Sequence, residues 1–139
     1  ITEDCIARLR SLKTFPVVPG KKYEVKGVKF ETIPAYNLNK SFHTKASNWV
    51  GYVIEIEGVR IYHAGDTDFI PEMKNLKNID IALMPVGGTY TMNAEEAANA
   101  VNSFKPKITI PMHYGEIVGS KKDAEKFKEL VKSAKVVIL

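Results

Sequence analysis

Three short apolar runs separated by two amphipathic stretches fill the last sixty residues and leave few architectures open. Ile79 to Pro85 is a continuous apolar run, the pattern of a strand buried on both faces. Asn93 opens a helix with Glu95 and Glu96 in its first turn, Glu96 at the capping-box position. The stripe of that helix is Ala94, Ala97, Ala98, Val101 and Phe104, and Pro106 stops it. Ile108 to Met112 reads as a second strand. Ser120 opens a second helix, with Ala124, Phe127, Leu130, Val131 and Ala134 on one side and lysines on the other. Val136 to Leu139 closes as a last strand. Strand, helix, strand, helix, strand is the order of a sheet with helices packed on it.

The first half is mostly hairpin-connected strands. Thr2-Glu3-Asp4 starts a helix with acids where the dipole favours them, and Ile6, Leu9 and Leu12 follow at helical spacing. Tyr23 to Val25 and Val28 to Ile33 read as strands on either side of Gly27. Trp49 to Ile56 and Val59 to Tyr62 form a hairpin across Glu57-Gly58, and Trp49 is assigned to the core. Tyr36 to Ser47 is a polar loop. The fold class is mixed α/β, and 139 residues make one domain, 1–139.

Composition removes several function classes. Hydrophobic residues are 45% and charged residues 26% of the chain, so disorder is excluded. The longest uncharged stretch, Ile81 to Ala94, contains Pro85, Gly87 and Gly88 and is too short to span a membrane. The net charge of +4 is scattered, which argues against a nucleic-acid partner. A single cysteine, Cys5, excludes a disulfide framework and a thiolate zinc cluster. The three histidines therefore carry most of whatever metal or acid–base chemistry the chain has.

Candidate chemistry lies where strands run out into loops. The first place is His63-Ala64-Gly65-Asp66-Thr67-Asp68, where a glycine turn lets the Asp66 carboxylate project beyond the sheet edge. The second is Pro85 to Met92, whose Gly87-Gly88 pair suits a tight turn. The third is Pro111-Met112-His113-Tyr114-Gly115. An aspartate and a histidine at neighbouring strand ends suit Zn²⁺, Mn²⁺ or Fe²⁺. Each residue also has an ordinary structural role open to it. Asp66 serves equally as a turn or cap residue, His113 as a hydrogen-bonded core histidine, and His43 as a solvated loop residue between Lys40 and Lys45. His63 reads as a packing partner or as a support for a ligand.

Together, Ile61-Tyr62-His63-Ala64-Gly65-Asp66-Thr67, Met84 to Met92 and Ile110-Pro111-Met112-His113-Tyr114-Gly115 resemble the metallo-β-lactamase superfamily. Within it they resemble the branch of metal-dependent hydrolases that includes ascorbate-6-phosphate lactonase-like proteins. The resemblance implies that Asp66 bridges two metal ions and that His113 is the last histidine ligand, both catalytic. It makes His43 the upstream metal ligand, with Asn37 as the alternative at that position. It sets Gly87, Gly88 and Thr91 beside a small-molecule substrate. The implied cofactor is a divalent metal, Zn in the first place, with Mn or Fe as alternatives. The implied reaction is hydrolysis of an ester, lactone or phosphoester by metal-bound hydroxide.

One departure bears on activity. The superfamily's His-x-His-x-Asp-His motif is absent, and in the family it precedes the region that matches Ile1. The expectation is therefore the second half of an αββα sandwich, weak or inactive alone, with a sheet face left to pair with its N-terminal half or with another copy of itself. The rival reading is a non-catalytic binding or assembly module that keeps the fold. The absence of an export signal points to the cytoplasm.

Overall fold

The structure, a computed structural model, describes residues 1–6, 9 and 13–139. Leu12, assigned above to the first helical stripe, lies outside the described residues. A short helix α1 (Glu3–Ile6) precedes seven strands in a single sheet: β1 (Lys22–Val25), β2 (Val28–Pro34), β3 (Val50–Ile56), β4 (Val59–His63), β5 (Ile81–Pro85), β6 (Ile108–Met112) and β7 (Lys135–Val136). Helix α2 (Ala94–Phe104) connects β5 to β6, and α3 (Lys121–Leu130) connects β6 to β7. No helix among the described residues is long and apolar enough to cross a membrane.

Strand order in the sheet equals sequence order. β1 to β4 pair antiparallel, and β4 to β7 pair parallel. The antiparallel half is built by two-residue turns, Lys26-Gly27 (φ 50° and 79°) and Glu57-Gly58 (φ 50° and 78°). Positive φ at both central positions gives a turn whose twist matches that of the strands, and glycine at the second position carries no steric cost. In the parallel half each return needs a crossover, which α2 and α3 supply.

Register sorts the side chains into two faces. One cross-strand row runs Glu31, Val53, Tyr62, Ala82, Thr109, Val136. Val53, Tyr62, Ala82 and Thr109 in that row are no more than 1% exposed, because α2 and α3 pack there. The Tyr62 ring meets Phe104 of α2 edge-on, with centroids 5.9 Å apart. The adjacent row, on the other face, runs Phe30, Ile54, Ile61, Ile81, Ile108 and is only half buried. Tyr23, Phe30 and Tyr52 extend it as an aromatic ladder, with neighbouring centroids 5.3 and 6.1 Å apart.

This corrects one expectation. β5 was expected to be buried on both faces, yet Ala82, Met84 and the terminal Pro85 are sealed while Ile81 and Leu83 remain half exposed. Nothing among the described residues packs on their side as the helices do on the other. β7 is also shorter than the run Val136 to Leu139, although Val137 still donates to the Thr109 carbonyl at 3.0 Å.

The helices form as their sequences dictate. Asn93 Oδ1 accepts the Glu96 N–H and Glu96 Oε2 accepts the Asn93 N–H, both at 2.9 Å, which closes the capping box. All five stripe residues of α2 are buried. At the start of α3, Asp123 Oδ2 accepts the Ser120 N–H at 2.7 Å.

Candidate metal centre

Asp66 owes its position to how β4 ends. Ala64 still donates to the Leu83 carbonyl of β5 (3.1 Å), after which Gly65 turns at φ 69° and its N–H is accepted by His63 Nδ1 at 3.2 Å. Directly behind this turn lies Gly51 of β3. A Cβ there would fall 2.6 Å from the Ala64 carbonyl oxygen and 2.7 Å from that of His63. Any side chain would drive β3 away from the turn that presents Asp66. A glycine inside a strand signals such close approach, and this one was not among the candidate positions.

Thr67 and Asp68 fasten the loop after β2 to the same strand end. The fully buried Thr67 hydroxyl accepts the Tyr36 N–H at 3.1 Å, and the Asp68 N–H donates to the Tyr36 carbonyl at 3.0 Å. Asp68 Oδ2 accepts the Leu38 N–H at 2.8 Å, while its other oxygen pairs with Lys40. A second anchor joins Tyr36, Glu72 and Lys45. The Tyr36 hydroxyl donates to Glu72 Oε2 (3.0 Å) and Lys45 to Oε1 (3.1 Å). Burial and the Glu72 carboxylate push the Tyr36 phenol up. Burial alone would raise Glu72, but its own backbone N–H, Lys45 and Tyr36 hold it below the usual carboxylate range.

The fastened loop brings His43 to Asp66. His43 Nε2 lies 4.0 Å from Asp66 Oδ2, and its side chain is 16% exposed, so it is not the solvated residue that its polar neighbours suggested. Asn37, the alternative at this position, is turned elsewhere. Its Nδ2 donates to the carbonyls of Phe42 (3.2 Å) and Tyr90 (3.0 Å).

His113 arrives from β6. Its Nε2 lies 3.5 Å from Asp66 Oδ1. Gly87 makes this approach feasible, since a Cβ on it would stand 2.3 Å from the His113 carbonyl oxygen. Gly88 turns at φ 81° beside Asn93. Thr91 is fully buried with its hydroxyl on the Met92 carbonyl at 3.3 Å, while its own carbonyl accepts from Lys40 at 3.2 Å. Its hydroxyl is thus turned away from solvent, and its backbone is tied to Lys40, the partner of Asp68.

Each imidazole therefore faces a different oxygen of one carboxylate. Both histidines sit in the left-handed region, His43 at φ 54° and His113 at φ 58°, and the buried Nδ1 of each has no protein partner. One aspartate oxygen pair and two imidazole nitrogens form a donor set of borderline hardness suited to a divalent transition ion. Among the described residues no three His, Cys, Asp or Glu side chains close round a single point as ligands would. The three side chains thus form an open donor set and not a closed three-ligand cage. An open cleft of about 610 Å³ runs past His43 and Asp66, lined also by Cys5, Trp49 and Tyr52. Trp49 is a wall of this cleft and not a core residue. Its ring lies 4.9 Å from His43, and its indole N–H donates to Asp4 at 2.8 Å.

Fold and site together define a mixed α/β domain with a His–Asp–His rim at the carboxyl ends of its central strands. The chain belongs to the metallo-β-lactamase superfamily: the family model described as β-lactamase superfamily domain matches residues 3–113. It is 45% identical over 121 residues to a UPF0173 metal-dependent hydrolase of Thermococcus onnurineus, covering 84% of this chain and 54% of that protein. The crystal structure of a protein named as a metal-dependent hydrolase from Parabacteroides distasonis superposes with TM-score 0.86 at 37% identity, over 99% of this chain and 61% of that one. Igni18, a metallo hydrolase of Ignicoccus hospitalis, gives TM-score 0.78 at 27% identity, over 96% and 60%. The chain spans about half the length of the curated relatives it matches.

Proposed function

We propose that this chain carries part of the active site of a metal-dependent hydrolase acting on an ester, lactone or phosphoester of a small molecule. One observation carries the reading: two imidazoles from distant loops meet the two separate oxygens of Asp66. Asp66 would bridge a divalent metal pair, Zn in the first place, with His43 and His113 each holding one side. Such a metal supplies Lewis acidity and a water acidic enough to ionise near neutral pH. The chain's own residues do the rest. The Thr67–Asp68 anchors hold Asp66 and His43 at a fixed separation, and Gly87 lets His113 close from β6. The Gly87-Gly88 backbone and the cleft past Trp49 admit the substrate.

The half-exposed sheet face supports a second element of the proposal. The relatives are nearly twice as long, and in a protein of that length the apolar row Phe30, Ile54, Ile61, Ile81, Ile108 would pack on the additional part, which would also supply the His-x-His-x-Asp-His ligands absent here. Alone, the chain would be weakly active or inactive and would self-associate through that face.

One observation favours a non-catalytic binding module instead, namely that the chain holds three histidines and no such motif. Elemental analysis separates the two readings. Asp66→Ala in the full-length protein should abolish both metal loading and hydrolysis. Full metal content and wild-type turnover in that variant would end the proposal.

A further inference from the structure

We propose that Phe42 and Tyr90 form a specificity subsite that binds an uncharged, ring-bearing group of the substrate next to His43; the inference rests on the hydrolase reading above. Both side chains carry an aromatic ring and are exposed, Phe42 37% and Tyr90 42%. Their rings meet edge-on with centroids 5.2 Å apart, and Phe42 continues to His43 at 5.6 Å. The Phe42 ring is thus one residue away from an imidazole that faces Asp66.

The pair is held, not merely adjacent. Asn37 is 5% exposed, and its single amide donates to the backbone carbonyls of both Phe42 and Tyr90. One buried side chain therefore fixes the two segments that carry the rings, although they are 48 positions apart in sequence. Rigid aromatic surface with little left to order is the kind that binds apolar groups efficiently.

Charge selects the occupant. The two cations of the same loop are already committed, Lys40 to Asp68 and Lys45 to Glu72. Among the described residues of this loop the ring pair thus offers π-faces and edges without an uncommitted ammonium group, which suits an uncharged ring and not a second phosphate or carboxylate. Phe42 and Tyr90 are the specificity residues, and Asn37 is a positioning residue that acts through them.

The test uses the full-length, Zn-loaded protein and two non-hydrolysable probes, phenylphosphonate and methylphosphonate, titrated by calorimetry. Wild type should bind the phenyl probe about tenfold more tightly. The Phe42→Ala/Tyr90→Ala variant should lose that preference, and so should Asn37→Ala with its metal content intact. Equal affinity of wild type for the two probes, or a preference that survives the double substitution, would overturn the proposal. Phenyl preference without turnover of any ester or phosphoester would sink the hydrolase reading alone. Turnover without phenyl preference would sink the subsite alone. Failure of the wild type to load Zn, with neither probe bound, would remove both.

Discussion

Replacing His113 by glycine should leave the metal-free protein more stable than replacing it by alanine. At φ 58° a residue bearing a Cβ is strained against its own carbonyl, by roughly 1–2 kcal/mol. Alanine keeps that strain and loses the imidazole, whereas glycine loses the imidazole and the strain together. Glycine also loosens the unfolded chain, which gives back about 0.4–1 kcal/mol. The net expectation is a glycine variant about 1 kcal/mol more stable than the alanine variant, or some 4 °C in Tm for a domain of this size. His43, at φ 54°, should behave alike. Thermal melts with and without excess Zn²⁺ check both halves of the argument. Wild type should gain stability as metal binds the folded state, and neither His113 variant should gain as much. Lys26→Gly is the control: its φ of 50° lies in a hairpin turn, so glycine should relieve strain there without touching the metal response. An alanine variant as stable as the glycine variant would refute the claim that strain is stored at this ligand.

Two further outcomes follow from the geometry. Gly51→Ala would force a Cβ to within 2.6 Å of the Ala64 carbonyl oxygen, so urea unfolding should show a loss of about 1–3 kcal/mol, accompanied by weaker metal binding as the Asp66 turn shifts. Asp80 accepts the Arg60 N–H at 2.8 Å and pairs with Lys107 at 2.6 Å, and these partners hold its carboxyl below the unperturbed 3.8. A carboxyl lowered in the folded state adds stability above its unfolded value that vanishes as pH falls through the folded one. Asp80→Asn should therefore lose less stability than wild type on acidification below about pH 4, and identical acid limbs would contradict this.

The sequence disclosed elements more readily than faces. The α2 stripe, its capping box and the Glu57-Gly58 hairpin are local patterns with a fixed period or turn chemistry, and each appears as read. β5 shows where periodicity stops. An all-apolar run says that both faces can be buried, not that both faces have a partner, and here Ile81 and Leu83 have only one side sealed from solvent on the sheet. The site divides the same way. Asp66 and His113 were legible because each follows a strand end, which is a local feature. His43 was named only through the family resemblance and not from its local pattern, because what carries it to Asp66 is a set of bonds from Tyr36 and Leu38 to Thr67 and Asp68, thirty or so positions away. Gly51 left a usable signal, a glycine between Val50 and Tyr52, but its meaning depends on a neighbouring strand that periodicity does not reveal.

The strongest physical reason to regard the His–Asp–His rim as a site lies in what it costs the fold. Two histidines hold left-handed backbone, each at an expense of about 1 kcal/mol or more. Each also buries an Nδ1 that no protein group satisfies, and a buried polar atom left unpaired costs roughly 1–3 kcal/mol. A core histidine would instead sit at negative φ with both nitrogens bonded. Nearby, the buried Thr67 and Asp68 side chains and the Asn37 amide N–H group clamp the loops that bear these histidines, while Asn37 Oδ1 is a third buried atom without a protein partner. Unfavourable groups surrounded by satisfied ones that prevent their relaxation are the arrangement expected where geometry is kept for a ligand rather than for stability. The donors converge on Asp66, so the stored cost and the proposed metal share one carboxylate. Relief of the first by glycine should accordingly be inseparable from loss of the second.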